Sequence, residues 1–217
     1  MKLKNLRFNL LIVIEGLPCS GKTRIVRRLA KELPAALIPE LDLRVSLRNR
    51  ERINFYTNDF KKSQESCCNS IKKVVVMDRY FLSTIAFEET LKSLSKRKLF
   101  NSRLMTLYDL RHCCGEKFYF LLLRWNLLKR PDIVFYLKVP VDVSMERQNK
   151  IKKNSSKYNI WRNKKFLHEF QRFCLKNAEK YYSIKPIIIN ASLSFDEIYP
   201  MILKEIEESI NSKNETE

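Results

Sequence analysis

The octapeptide Gly16-Leu17-Pro18-Cys19-Ser20-Gly21-Lys22-Thr23 constrains this chain more than any other stretch, because it fits G-x-x-x-x-G-K-[ST], the pattern of a phosphate-cradling loop. Glycines at the two fixed positions let backbone N–H groups turn inward around a phosphate, and the helix that follows points its positive end at the same oxygens. Lys22 then reaches the β- and γ-phosphates while the Thr23 hydroxyl sits on Mg²⁺. The flanks agree with this reading. Leu10-Leu11-Ile12-Val13-Ile14 is an apolar run of buried-strand type, and Thr23 to Ala30 repeats its apolar positions at helical spacing. The whole chain holds three glycines, and Gly16 and Gly21 are the two that the pattern demands. The backbone of Leu17, Pro18, Cys19 and Ser20 completes the candidate ATP-binding loop.

A length of 217 residues suits one α/β domain with a proper core and is short for two. Lys and Arg number 42 against 24 Asp and Glu, a net charge of +18 that favours anionic partners: nucleotides, nucleic acid or an anionic surface. A Lys- and Asn-rich composition with little Gly explains part of that excess as solvated surface. The six cysteines include two adjacent pairs but no C-x-x-C, and the only histidines are His112 and His168. Neither a zinc site nor a disulfide framework emerges, so reduced thiols in a cytoplasmic protein are expected. Lys2, Lys4 and Arg7 before an apolar run imitate a secretory signal, but Glu15 interrupts the run and a first strand explains it better. No apolar stretch approaches the ~20 residues that span a bilayer, so no membrane partner is expected.

Strands alternate with helices along the chain. Further strands are expected at 35–39, 73–77, 132–138 and 186–190, with helices at 55–71, 80–96, 99–128, 142–151, 161–182 and 195–210, the last opened by the capping box Ser194-Phe195-Asp196-Glu197. This predicts an α/β fold of the P-loop NTPase type, a five-stranded parallel sheet with helices on both faces, spanning 1–210 with a disordered tail at 211–217. Ligands then sit at the carboxyl ends of the strands.

Polar residues just past strand ends become candidates for the site. Asp78-Arg79-Tyr80 follows the third strand: the carboxylate could hold the water shell of Mg²⁺ and the guanidinium could clamp transferring phosphate. The plain alternative is an Asp78 that caps the next helix and pairs with Arg79. Glu40 follows the second strand, ahead of Arg44, Arg48, Arg50 and Arg52. It suits a general base or a ligand to a sugar hydroxyl, and the arginines suit an acceptor phosphate or an exposed helix face. The block Asn54-Phe55-Tyr56-Thr57-Asn58-Asp59 offers aromatic surface for stacking a base and amides or carboxylates for reading its edge, or else helix core. The basic tract from Arg147 to Arg162 is placed to fold over bound phosphates as a lid.

Four blocks carry a family resemblance. Ile14 to Thr23, the segment Val76-Met77-Asp78-Arg79-Tyr80-Phe81-Leu82-Ser83-Thr84-Ile85-Ala86-Phe87, the strand Arg130 to Pro140 with Glu146-Arg147 opening the lid, and Asn190-Ala191-Ser192 together resemble the thymidylate kinase-like branch of the P-loop nucleoside and nucleotide kinases. The resemblance implies ATP- and Mg²⁺-dependent transfer of the γ-phosphoryl group to a nucleoside monophosphate, dTMP first. It places Lys22 and Thr23 on donor and metal and Arg79 on phosphoryl oxygens, whereas Glu40, Arg44, Phe55, Tyr56, Asn58 and Tyr80 are candidates for the acceptor side from their own chemistry and positions. It is compatible with a homodimer. Leu37-Ile38-Pro39-Glu40 stands where thymidylate kinases carry an Arg-x-Pro-Gly block, and a glutamate there resembles the deoxynucleoside kinases, in which it acts as base toward the 5′-hydroxyl. Two other classes stay open: a kinase or NTPase acting on nucleic-acid ends, motivated by the charge, and a nucleotide-binding regulatory protein without transfer.

Overall fold

A strand with no polar face must be covered on both sides, and β1 (Leu10–Gly16) is buried along its whole length. It lies at the centre of a five-stranded sheet of order β2-β3-β1-β4-β5, where β2 is Ala36–Ile38, β3 is Val74–Asp78, β4 is Ile133–Lys138 and β5 is Ile187–Asn190. Every pairing is parallel. The computed structural model describes residues 10–33, 35–40, 73–96, 129–151 and 160–216. Among these, the helices are α1 (Lys22–Glu32), α2 (Phe81–Lys96), α3 (Val141–Ile151), α4 (Lys164–Tyr182) and α5 (Phe195–Thr216).

The order puts β2 and β3 on one side of β1 and β4 and β5 on the other, so the carboxyl ends of β1, β3 and β4 open a crevice at the point where the topology reverses. Register brings Ile14 opposite Asp78 and Gly16 opposite Leu137. The amino end of the β1–β4 pair is pinned by Asp132. Its carboxylate accepts the Leu11 N–H at 2.7 Å and its own N–H donates to the Leu11 carbonyl at 2.8 Å, which extends the ladder by one rung. Under the sheet, α2 and α4 bring Phe81, Phe87, Phe166, Phe170 and Tyr182 into one buried aromatic layer.

Two element boundaries differ from the sequence expectation. The helix expected from 161 begins at Lys164, after a 3₁₀ turn at Ile160–Arg162, because the Asn163 side chain caps it by accepting the Phe166 N–H at 3.0 Å. The tail expected to be disordered from 211 instead continues α5 to Thr216. No Gly or Pro follows Ile210 to stop the helix, and buried Ile202, Ile206 and Ile210 anchor the turns before it. The helices expected at 55–71 and 99–128 lie outside the described residues. None of the described helices is long and apolar enough to cross a membrane.

Candidate active site

The loop leaves β1 through two residues that only glycine serves well. Gly16 has φ 145°, and a Cβ there would stand 2.7 Å from the Leu137 carbonyl oxygen of β4. Gly21 has φ 98° and is the residue before α1; a Cβ on it would meet nothing within 4 Å and would jut into open space at the mouth of the loop. No side chain caps α1, and the Arg24 N–H turns back to the Gly21 carbonyl at 3.1 Å, so the positive end of the helix is left to an entering anion. Between the glycines, Cys19 also adopts a left-handed backbone, with φ 56°.

Lys22 is buried, and its Nζ donates to the Leu17 carbonyl at 2.8 Å across the loop. Burial is the main cause that lowers its pKa to about 8, with the Arg79 charge adding to the shift; Glu40, Asp78 and Glu15 oppose it. A cation held this way is costly until a phosphate arrives. Thr23 donates its hydroxyl to Asp78 Oδ2 at 2.6 Å, which turns the hydroxyl lone pairs outward. Asp78 is the last residue of β3, and its buried Oδ1 has no hydrogen-bond partner among the described residues. A buried carboxylate oxygen left over beside a hydroxyl is a donor set of the kind that holds Mg²⁺, which takes one or two protein oxygens and keeps its remaining ligands from water and phosphate.

Arg79 turns off the end of β3 with φ 65°, a region that side chains other than Gly, Asn and Asp seldom occupy. Its N–H donates to the Ile14 carbonyl at 3.0 Å. The guanidinium is buried, with its carbon 5.0 Å from the Trp161 ring centroid and 5.7 Å from that of Phe170. Nε lies 3.1 Å from Glu40 Oε1, an ion pair without an aligned hydrogen bond, and Nη1 has no hydrogen-bond partner among the described residues. The plain alternative for Asp78-Arg79 therefore fails: Asp78 takes Thr23 and Arg79 takes Glu40, rather than each other. Glu40 itself is partly exposed at the end of β2 and faces the same crevice cations.

Arg147, on α3, donates through Nη1 to the Ala191 carbonyl at 3.1 Å and lies 3.4 Å from the Cys19 carbonyl, which joins the loop to the turn after β5. One turn earlier, Ser144 Oγ donates to the Pro18 carbonyl at 2.6 Å. Tyr80, a candidate for the acceptor side, is buried, stacked on Tyr182 and edge-on to Phe81, with its hydroxyl donated to the Lys129 carbonyl at 3.1 Å. The residue after the bend at Arg79 points back into the core. Arg44, Phe55, Tyr56 and Asn58 lie outside the described residues, as do 152–159 of the expected lid.

Sequence reasoning missed two participants. Glu15, which it used only to break an apolar run, is fully buried and accepts three donors: Tyr80 N–H at 3.1 Å, Tyr182 O–H at 2.6 Å and Ser83 O–H at 2.5 Å. Desolvation raises its pKa, against those bonds and the Arg79 charge. A charged residue inside an otherwise apolar central strand was the signal. Ser144, the other, carries no sequence signal beyond its place early in α3.

Comparison with known proteins bears on the fold. A family model described as "Chromatin associated protein KTI12" matches residues 10–78, under half of the chain. Among solved structures, deoxyadenosine kinase from M. mycoides with bound dATP superposes with a TM-score of 0.65 at 15% identity, over 92% of this chain and 100% of that one. Thymidylate kinase from Candida albicans gives 0.64 at 17% identity, over 94% and 93%. The YorR protein of Bacillus subtilis, in complex with phosphorylated GDP, gives 0.55 at 16%, over 91% and 95%. With its five-stranded parallel sheet and phosphate loop, the chain has the fold of the P-loop nucleoside and nucleotide kinases.

Proposed function

We propose that this protein is an ATP- and Mg²⁺-dependent kinase of nucleosides or nucleoside monophosphates, and that its preferred acceptor is the 5′-hydroxyl of a deoxynucleoside. The observation that carries the acceptor is the placement of Glu40 Oε1 3.1 Å from Arg79 Nε, in the crevice shared with Lys22. A carboxylate beside the cation that meets the transferring phosphoryl group is positioned to take a proton from an attacking hydroxyl, a task that a phosphate acceptor does not require.

In this reading the loop amides and Lys22 hold the β- and γ-phosphates, with Lys22 exchanging the Leu17 carbonyl for phosphate oxygen. Mg²⁺ would be held by Thr23 Oγ1 and, through its water shell, by Asp78 Oδ1, and would there supply positive charge to offset that of the phosphates. Glu40 accepts the hydroxyl proton as the acceptor oxygen attacks in line. Arg79 stabilises the charge spread over the equatorial oxygens, and its aromatic surroundings keep water from competing. The expected result for Glu40→Gln is a fall in kcat of ~100-fold or more, with KM for ATP changed little, as loss of a positioned base gives. Wild-type kcat in that variant would remove Glu40 from the chemistry.

One observation favours a second reading, transfer to a monophosphate such as dTMP: Arg79 Nη1 has no hydrogen-bond partner among the described residues and could take an acceptor phosphate oxygen. Under that reading Glu40 is only an ion-pair partner, and Glu40→Gln keeps most of its activity.

A further inference from the structure

Arg79 holds a backbone bend that its residue type resists, so something must impose it. The bend is fastened on both sides. Before it, the Arg79 N–H is fixed to the Ile14 carbonyl at 3.0 Å; after it, the Tyr80 N–H is fixed to Glu15 Oε1 at 3.1 Å. Ile14 and Glu15 are consecutive in β1, so the central strand grips the bend with one backbone and one side-chain acceptor. The carboxylate is held in turn by Tyr182 O–H from α4 and Ser83 O–H from α2, and Ser83 N–H returns to the Tyr80 carbonyl at 3.1 Å. With its carboxylate fully buried under the loop, Glu15 is also an anion near both buried cations of the crevice, Lys22 and Arg79.

From this juxtaposition we infer that Glu15 is a positioning residue for phosphoryl transfer: by holding the backbone after Arg79, its carboxylate keeps the guanidinium in the crevice, and Ser83 and Tyr182 are the donors that keep the carboxylate in place. This inference rests on the kinase reading for its catalytic consequence. The placement of Arg79 does not depend on it. Glu15→Gln keeps size and one acceptor but sets its NH₂ against existing donors, the Ser83 hydroxyl at the Oε2 position or the Tyr182 hydroxyl and Tyr80 N–H at the Oε1 position. Ser83→Ala and Tyr182→Phe each remove one donor and leave the carboxylate, so a folding failure of Glu15→Gln does not end the test.

Two readouts separate positioning from mere support. The first is a double-mutant cycle in kcat. Glu15→Gln should lower kcat by ~10-fold or more with KM for ATP within about twofold, and that loss should vanish on an Arg79→Ala background, since coupled residues are non-additive. Equal losses on both backgrounds would overturn the inference. The second needs no turnover. The chain has two tryptophans, Trp125 and Trp161. In a Trp125→Phe background the emission of Trp161, which lies under the Arg79 guanidinium, should shift in Glu15→Gln, Ser83→Ala and Tyr182→Phe in the same direction as in Arg79→Ala. An unshifted emission in folded variants would overturn the inference. A shift in a protein that phosphorylates no acceptor would sustain the positioning role and end the kinase reading.

Discussion

Lys22 carries the sharpest residue-scale consequence. Unfolded, a lysine keeps its proton to about 10.5, whereas in the folded protein burial brings the value to about 8. Across that interval the unfolded chain binds more protons, so this residue makes stability rise with pH from about 8 to about 10.5, and below pH 8 it costs the fold about 3 kcal/mol. Lys22→Met should therefore abolish turnover and raise stability at pH 7 by ~1–3 kcal/mol, after loss of the bond to the Leu17 carbonyl. Urea melts at pH 7 and pH 10 check both parts: the variant should gain less from the higher pH than the wild type does. A destabilised variant would mean that Lys22 is at ease in its pocket. The same residue stands out in sequence because the pattern that marks it is local, set by spacing from Gly16 and Gly21. Glu15 does not, since its partners Tyr80, Ser83 and Tyr182 lie 65 to 167 positions away and meet only when β1 and β3 pair and α4 docks. The burial of Tyr80 was hidden for a related reason: adjacency to Arg79 in sequence does not report that the ring after the left-handed bend packs inward against Tyr182.

At the scale of elements, α3 acts as a clasp on the loop. Ser144 and Arg147, one turn apart, hold the carbonyls of Pro18 and Cys19, and Arg147 ties them to Ala191. A loop whose carbonyls are held from behind presents its N–H groups forward. Arg147→Ala should raise the dissociation constant for ATP by ~10-fold, the worth of one charge-assisted contact, while leaving the melting temperature nearly unchanged. Isothermal titration with ATP decides this; unchanged affinity would make Arg147 a surface residue. Strand identities followed from apolar runs bounded by polar residues, and each expected strand is found within two residues of its place. The capping box at the start of α5 is also realised, with Ser194 N–H donating to Glu197 Oε2 at 2.9 Å and Glu197 N–H to Ser194 Oγ at 3.3 Å. Helix ends were less legible. The cap at Asn163 and the run of α5 to Thr216 depend on which polar residue takes the first orphan N–H and on the absence of a stop, neither of which periodicity reports.

For the whole molecule, the charge of +18 raises nucleic acid as a competitor to the small acceptor. Simple phosphate attraction fades steeply with salt, by ~10³-fold or more between 50 and 200 mM for six or more contacts. Nucleic acid carried through purification should accordingly be lost by 0.5 M salt without loss of ATP-dependent activity, as absorbance at 260 nm and turnover together will tell. Retention at high salt would point to a built nucleic-acid site. ADP release from ATP·Mg²⁺ across nucleosides and nucleoside monophosphates, in ribo and deoxy forms, decides what the protein phosphorylates. A deoxynucleoside should stimulate release, and the stimulation should be abolished in Lys22→Met and reduced ~100-fold in Glu40→Gln. Stimulation by monophosphates alone, with Glu40→Gln fully active, would contradict the assigned acceptor, and ATP binding without stimulation by any of them would contradict the kinase itself.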